Sequence, residues 1–316
     1  MQITEIFSSQ LPVGETLSIK RSRFEPTKKY DSLKRISIVS GIHGDELEGQ
    51  YAIYLLSSWL NKNKDAIRGI IDIYPAVNSL GIDSITRGFP LYEVDLNRAF
   101  PGAEHEYLPG QVVHALAQDV KGSDIAIDIH SSNIFLREIP QIRINKEYSN
   151  FTLPLAKELN CDFIWIHDAV TVLEATFSHT MNSMGTRTLV VEMGVGMRLT
   201  KEYGVQLLSG MLNLMQKEGI IQSREHFEAR EPFLSEVGEV FYLNSPTSGL
   251  FVPALDHCAV IKKNDVIGTI VEPLTGEVLD TLYAPNGGIL FTLREYPIVY
   301  EGSLLARIFG ETDEKN

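Results

Sequence analysis

Short apolar runs alternate with amphipathic stretches as far as about residue 222 of the chain. The apolar runs have the length and β-branched composition of buried strands, and the stretches between them repeat apolar positions at helical spacing. Strands are predicted at 35–42, 70–77, 124–130, 163–167 and 188–192. Helices are predicted at 47–60, 111–120, 152–159, 171–183 and 201–217. Buried strands that alternate with helices indicate a doubly wound α/β fold with a mostly parallel sheet.

The pattern changes after about residue 222, where helical spacing ends and short β-rich runs broken by Gly and Pro begin. A weak repeat lies in this region: the segment around Gly249 lines up with the segment around Gly288, and Val260 then matches Val299. Short strands with frequent turn residues are typical of an all-β domain. We therefore predict two domains, a catalytic one at 1–222 and a smaller β-sandwich or barrel at 223–316.

Composition narrows the class of protein. The 316 residues carry a net charge of −13, which repels phosphate backbones and argues against nucleic acid as a partner. We find neither a secretory signal nor an apolar run long enough for a membrane helix, and therefore expect a cytoplasmic protein without a membrane partner. Cys161 and Cys258 are expected to be reduced, buried thiols. The sequence leaves homo-oligomerisation open.

Polar residues stand where two predicted strands end. His43 and Glu46 follow the first strand across a Gly44 turn, and His130 ends the strand at 124–130. The carboxyl ends of parallel strands meet in one crevice, so these side chains are expected to converge. Two histidines and one carboxylate form the ligand set of catalytic zinc, although Mn²⁺, Fe²⁺ and Co²⁺ accept the same ligand types. Each residue alone is more often structural than metal-binding.

Glu192 ends a third apolar strand, so its carboxylate must be paired, neutral or facing a cavity. Next to a metal site it could act as a general base that takes a proton from water. The structural alternative is an ion pair with Arg187 or another basic residue. Arg137, Arg143 and Arg187 could reach the crevice, but a structural role is favoured for each.

The irregular segment 78–109 is long for a connection without function. It holds Arg87 and Arg98, whose guanidinium forks could bind a carboxylate or stabilise an oxyanion, and Asn97, a neutral donor. Asp95 could accept the second N–H of a ligand histidine. The structural alternative is a solvated, salt-bridged loop.

The motifs GIHGDELEG, DLNRAFPG, DIHSS and VVEMGVG, which span residues 41 to 196, resemble the succinylglutamate desuccinylase/aspartoacylase family of the zinc carboxypeptidase superfamily. Their spacing is closest to that of its predicted bacterial deacylases. The resemblance implies one Zn²⁺ per chain, bound by His43, Glu46 and His130. It also implies roles for five further residues: Glu192 as the general base, Arg87 at the oxyanion, Asn97 and Arg98 at a substrate carboxylate, and Asp95 as the outer partner of His43.

The C-terminal part resembles a biotinyl/lipoyl-type domain, but the hairpin at 271–280 lacks the lysine that a carrier domain modifies. We therefore expect this domain to form a lid or wall of the site. The leading hypothesis is a zinc-dependent deacylase that hydrolyses N-acyl amino acids or similar small amides with a carboxylate. The alternatives are a metallocarboxypeptidase acting on peptides and a non-catalytic metal- or ligand-binding protein.

Overall fold

The computed structural model describes residues 1–168 and 174–310. The strands are β1 (Gln2–Gln10), β2 (Thr16–Phe24), β3 (Arg35–Ser40), β4 (Ile70–Tyr74), β5 (Ile125–Ser131), β6 (Leu136–Asn145), β7 (Phe163–His167), β8 (Arg187–Gly194), β9 (Phe233–Leu234), β10 (Glu239–Asn244), β11 (Gly249–Pro253), β12 (Val260–Ile261), β13 (Val266–Glu272), β14 (Glu277–Tyr283), β15 (Gly288–Arg294), β16 (Ile298–Val299) and β17 (Leu304–Gly310). The helices are α1 (Glu48–Lys62), α2 (Ser79–Ser84), α3 (Leu108–Val120), α4 (Ser149–Ala156), α5 (Phe177–Ser183) and α6 (Lys201–Lys217). Residues 171–173 of one predicted helix and 311–316 of the predicted second domain lie outside the described residues.

The large sheet has an α/β architecture, and the predicted fold class is confirmed. Its central strands run in the order β4-β3-β5-β8, and every neighbouring pair among them is parallel. One face packs against α1, α4 and α6 through a large apolar cluster, and a second cluster contains residues of α3 and α5. Parallel strands therefore end together at one edge of the sheet, where the predicted site residues lie.

Two parts of the sheet were not predicted. The hairpin of β1 and β2 joins the sheet through antiparallel pairing of β2 with β4. Strand β6 contains Pro140, a residue that argues against a strand interior because it cannot donate to the ladder. The structure places Pro140 where the β6–β8 register shifts, between Glu138 and Gln141, so the proline lies in an irregularity of the ladder.

The C-terminal part combines a four-stranded antiparallel sheet, in the order β14-β13-β11-β16, with strands of the large sheet. The predicted repeat corresponds to two strand triplets, β11 to β13 and β15 to β17. The short middle strand of each triplet pairs with the first strand of the other triplet: β12 pairs with β15, and β16 pairs with β11. The exchange gives this part a two-fold pseudosymmetry.

Strand β6 joins the two parts of the molecule. Its residues 136–138 pair with β15, and its residues 141–145 pair with β7 on the same edge. An apolar cluster of Ile139, Phe163, Phe291 and Phe309 packs across this junction. The large sheet thus continues from the N-terminal part into the C-terminal part.

The two cysteines are free, but only Cys161 is buried, so the expectation of a buried thiol is wrong for Cys258. Cys258 lies just before β12, where its backbone φ is 71° and its Sγ is 3.8 Å from the Tyr203 hydroxyl. Among the described residues, none of the helices reaches the length and apolar character that crossing a bilayer requires.

Candidate functional site

A tight turn after β3 presents His43 and Glu46. The turn lies so close to α2 that a side-chain carbon on Gly44 would come within 2.1 Å of the Gly81 backbone. The Gly44 amide also donates to the carbonyl of Arg87, 3.2 Å away, which ties the turn to the long segment. Glycine is therefore required at position 44 by close backbone approach.

The side chains of His43, Glu46 and His130 meet at one point. Nδ1 of His43 lies 2.8 Å from Glu46 Oε1, and Nδ1 of His130 lies 2.9 Å from Glu46 Oε2. The two Nδ1 atoms are 3.2 Å apart. All three residues are buried, and the group offers one ligand atom from each within 4.8 Å of the others. Imidazole nitrogens and a carboxylate oxygen gathered in this way could hold a divalent metal ion.

Both histidines turn their other nitrogen toward a carboxylate. His43 Nε2 lies 2.9 Å from Asp95 Oδ1, and His130 Nε2 lies 2.9 Å from Asp128 Oδ2. The His43–Asp95 contact is a hydrogen bond of the kind that holds a metal-binding imidazole with Nδ1 free for the ion. Asp128 lies at ion-pair distance from His130, but its oxygens make no hydrogen bond among the described residues. The sequence interpretation missed Asp128, although it stands two positions before His130 on the same face of β5, where side chains alternate.

The charges around this point favour a cation. Burial alone would raise the pKa of Glu46, but the adjacent His43 and His130 outweigh it and hold that pKa well below the ordinary value. Burial alone would lower the pKa of His130, but Asp128 and Glu46 raise it well above the ordinary value. Three carboxylates thus surround two imidazoles, an arrangement that stabilises positive charge at the centre.

The segment 78–109 brings its four predicted residues to this cluster. Arg87 Nη1 donates to Glu46 Oε1, and its Nη2 lies 3.7 Å from Asp95 Oδ2. Asp95 also accepts from the backbone N–H of Asn97 and so begins the short 3₁₀ turn Leu96–Arg98. Asn97 Nδ2 lies 3.4 Å from His130 Nε2. Arg98 donates to the Asn97 carbonyl and, within the part of the chain that the structure describes, has no carboxylate partner.

Glu192 lies in β8 beside His130, its Cα partner in β5. Its Oε1 lies 3.3 Å from Arg143 Nη1, so its partner is a basic residue other than Arg187, which contacts Glu218. Burial raises the pKa of Glu192 to about 6, against the opposing effect of Arg143. A carboxylate with such a pKa can both accept and return a proton near neutral pH.

These side chains line a cavity of about 340 Å³. Six of the eight predicted site residues line it, and the other two, Glu46 and Asp95, contact His43 directly. The lining residues are His43, Arg87, Asn97, Arg98, His130, Arg143, Trp165, His167, Thr176, Val190, Glu192 and Arg307. The structure thus gathers all eight predicted site residues in and around one cavity.

The cavity wall also contains residues that the sequence did not indicate. Arg307, in β17 of the C-terminal part, donates to the buried Glu138, which also accepts from Arg143. The guanidinium carbons of Arg143 and Arg307 lie 5.7 and 5.5 Å from the Trp165 ring centroid, within cation–π distance. Arg143, for which a structural role was favoured, therefore lines the cavity, and the C-terminal part supplies one of its walls.

A protein-family model, that of the succinylglutamate desuccinylase/aspartoacylase catalytic domain, matches residues 32–217 of the sequence. The chain belongs to this family. A curated relative is the N-alpha-acetyl-L-2,4-diaminobutyric acid deacetylase of Halomonas elongata, which is 25% identical over 86% of this chain and 77% of its own length. The recognition of the family from the sequence is therefore confirmed, and the relative supports deacylase activity.

Solved structures share the fold of the desuccinylase/aspartoacylase family over nearly the whole chain. The product-bound ectoine utilization protein EutE (DoeB) of Ruegeria pomeroyi superposes with a TM-score of 0.79 at 18% identity, covering 96% of this chain and 93% of its own. A succinylglutamate desuccinylase/aspartoacylase of Rhodobacter sphaeroides gives 0.78 at 22% identity, covering 96% and 94%. The coverage extends beyond the catalytic region into the C-terminal part.

Proposed function

We propose that this protein is a zinc-dependent amidohydrolase that hydrolyses the amide bond of small N-acyl amino acids or related amides with a carboxylate. It would bind one Zn²⁺ per chain through His43, Glu46 and His130. The observation that carries the proposal is the convergence of these three side chains, 2.8 to 3.2 Å from one another, in the cavity that Glu192 lines.

A divalent ion held there would polarise the amide carbonyl and favour ionisation of a water molecule. Glu192 would take the proton from the attacking water and then deliver it to the departing nitrogen. Arg87, whose guanidinium is half-exposed at the cavity, would stabilise the negative charge that develops on the carbonyl oxygen. Asp95 and Asp128 would keep the two histidines in their ligand orientation.

Recognition of the substrate carboxylate is assigned to Asn97 and Arg98. Arg98 has no carboxylate partner within the described residues, so its charge is available to an anion. The chain as a whole is strongly acidic, and an anionic substrate therefore needs such a local cation. The neighbouring Asn97 adds a neutral donor to the same 3₁₀ turn.

The size of the cavity favours a deacylase over a peptidase. Arg307 lines the cavity from the C-terminal part, and the volume of about 340 Å³ is that of a site for a small acyl amino acid. The named activity of the Halomonas relative, removal of an acetyl group from an amino acid, is of the same reaction class. We further propose that the protein works in the cytoplasm.

A panel of N-acyl amino acids and C-terminally free peptides, assayed with the zinc-loaded protein, tests the proposal. We expect hydrolysis of acyl amino acids, loss of at least about a hundred-fold in kcat for Glu192→Gln, and unchanged zinc content in that variant. Glu295→Gln, at an exposed ion pair with Arg137, is the matched control. Preferential peptide hydrolysis would favour a carboxypeptidase, and zinc binding without any turnover would favour a non-catalytic protein.

A further inference from the structure

Gln141 lies next to Glu192 in the sheet. The two residues are directly opposed in the antiparallel pair of β6 and β8. Directly opposed side chains in such a pair lie on the same face, with Cβ atoms about 4.5–5.5 Å apart. Arg143, two positions further along β6, lines the cavity on that face, whereas Ile142 packs into the apolar cluster on the other face. Gln141 therefore stands beside the carboxylate of Glu192, on the cavity side of the sheet.

The amide of Gln141 is buried without a hydrogen bond. The residue is fully inaccessible to solvent, and neither Oε1 nor Nε2 has a partner among the described residues. Buried amides in native proteins are nearly always hydrogen-bonded, because an unpaired one keeps its full desolvation penalty. An apolar residue would fill the same space without that penalty, so packing alone does not account for glutamine here.

Two groups next to Gln141 have unused hydrogen-bonding capacity: Arg143 can donate, and Glu192 can accept. Nε of Arg143 is a buried donor that has no partner among residues 1–168 and 174–310. Glu192 Oε1 lies 3.3 Å from Arg143 Nη1, and the Glu192 carboxylate accepts no hydrogen bond within the described part of the chain. One side-chain amide can serve both groups, since its oxygen accepts and its nitrogen donates.

We propose that Gln141 is a positioning residue for Glu192. In the zinc-bound enzyme its amide nitrogen would donate to a carboxylate oxygen of Glu192, and its amide oxygen would accept from Arg143 Nε. A neutral donor fixes the plane of the carboxylate without adding positive charge, which would oppose protonation of the base. The inference rests on the proposed role of Glu192 as the proton acceptor. It assigns Gln141 a function that works through Glu192 and needs no contact with substrate.

The test is Gln141→Met in the zinc-loaded protein, with Ile142→Met on the opposite face of β6 as the packing control. We expect kcat to fall about ten-fold or more for Gln141→Met, because the base loses its fixed orientation. KM and zinc content should stay at wild-type values, because Gln141 contacts neither the substrate nor the predicted metal ligands. The control should keep its kcat.

The outcomes separate the two proposals. If the wild-type protein hydrolyses no amide in the panel, the proposed function fails. If the wild-type protein is active and Gln141→Met keeps its kcat within two-fold, only the role of Gln141 is overturned. Should the variant not fold, a crystal structure of the wild-type zinc form decides the question. A Gln141 Nε2 more than about 4 Å from both Glu192 oxygens would overturn the inference.

Discussion

Arg307 donates a hydrogen bond of 2.6 Å to the buried carboxylate of Glu138, a residue 169 positions earlier in the chain. The side chain of Glu138 is only 1% exposed, and it also accepts from Arg143. The contact fixes a guanidinium of the C-terminal part at the wall of the cavity that holds the predicted metal ligands. The C-terminal part therefore supplies a charged side chain to the cavity as well as one of its walls.

Replacing Arg307 by methionine should weaken binding of acidic substrates. Arg307 lines the cavity beside its partner Glu138, so its guanidinium can also meet a substrate carboxylate. A charge-assisted hydrogen bond to a substrate carboxylate is worth about 1.5–3 kcal/mol. We expect KM for an N-acetylated acidic amino acid to rise about ten-fold, with a small change in kcat, in steady-state kinetics. Arg294→Met is the control, because Arg294 donates only to backbone carbonyls outside the cavity. An unchanged KM would contradict the assignment.

Removal of the metal should lower thermal stability. A ligand that binds only the folded state stabilises it by about 2.7 kcal/mol at a hundred-fold excess over Kd. We expect chelation to lower the melting temperature, and added Zn²⁺ to restore it at one ion per chain by elemental analysis. His130→Ala should abolish the zinc response, whereas His179→Ala, whose ring packs against Tyr148, should retain it. An equal zinc response in both variants would contradict the ligand set.

Asp128 should matter for metal affinity although it is not a predicted ligand. Its carboxylate lies 2.9 Å from His130 Nε2, at ion-pair distance from the ring. Loss of such a partner typically reduces metal affinity about 10–100-fold. We expect Asp128→Asn to raise the Kd for zinc by this factor in a competition titration with a chromophoric chelator. Asp119→Asn, at the ion pair with Arg21, is the control. The same Kd in both variants would show that Asp128 does not support the ligand.

The pH dependence of stability should include a contribution from His257. Burial lowers the pKa of His257 to about 4. Its ring nitrogens contact the Tyr203 hydroxyl and the Phe291 carbonyl oxygen. Between this value and about 6.5, the unfolded chain binds the proton more strongly than the folded chain does. The contribution of His257 to the free energy of unfolding is therefore complete above pH about 6.5 and is lost as the pH falls toward 4.

Replacing His257 by glutamine isolates this contribution. The variant should lose less stability than the wild type between neutral pH and pH about 5, with a difference on the order of 1–2 kcal/mol. Denaturant unfolding at several pH values measures it. Parallel pH profiles for the two proteins would show that His257 does not titrate differently on folding.

The strand ends were predictable because they depend on local pattern. His43, Glu46 and His130 follow apolar runs, and the topology of a parallel sheet brings such ends together whatever the intervening sequence. Asp128 could have been found by the alternation of side chains along β5. The position of Gln141 opposite Glu192 was not predictable, because a proline such as Pro140 is disfavoured inside a strand and no local pattern reveals a register shift.

The contribution of Arg307 could not be read from the sequence. Its position at the cavity depends on the pairing of β15 with both β6 and β17, which brings together segments that lie far apart in the chain. Pairing over such distances leaves no periodic trace within either segment. The same limit applies to Glu192, because the sequence could not select Arg143 of the neighbouring strand β6 over Arg187 as its basic partner.

The continuous sheet has a consequence for any attempt to cut the protein into modules. In a fragment ending near residue 222, residues 136–138 of β6 would form an unpaired strand edge. Their amide and carbonyl groups could then pair with another molecule. The fragment would also uncover Ile139 and Phe163, which now pack against Phe291 and Phe309. Such a fragment should self-associate, so deletion studies would report on aggregation rather than on catalysis.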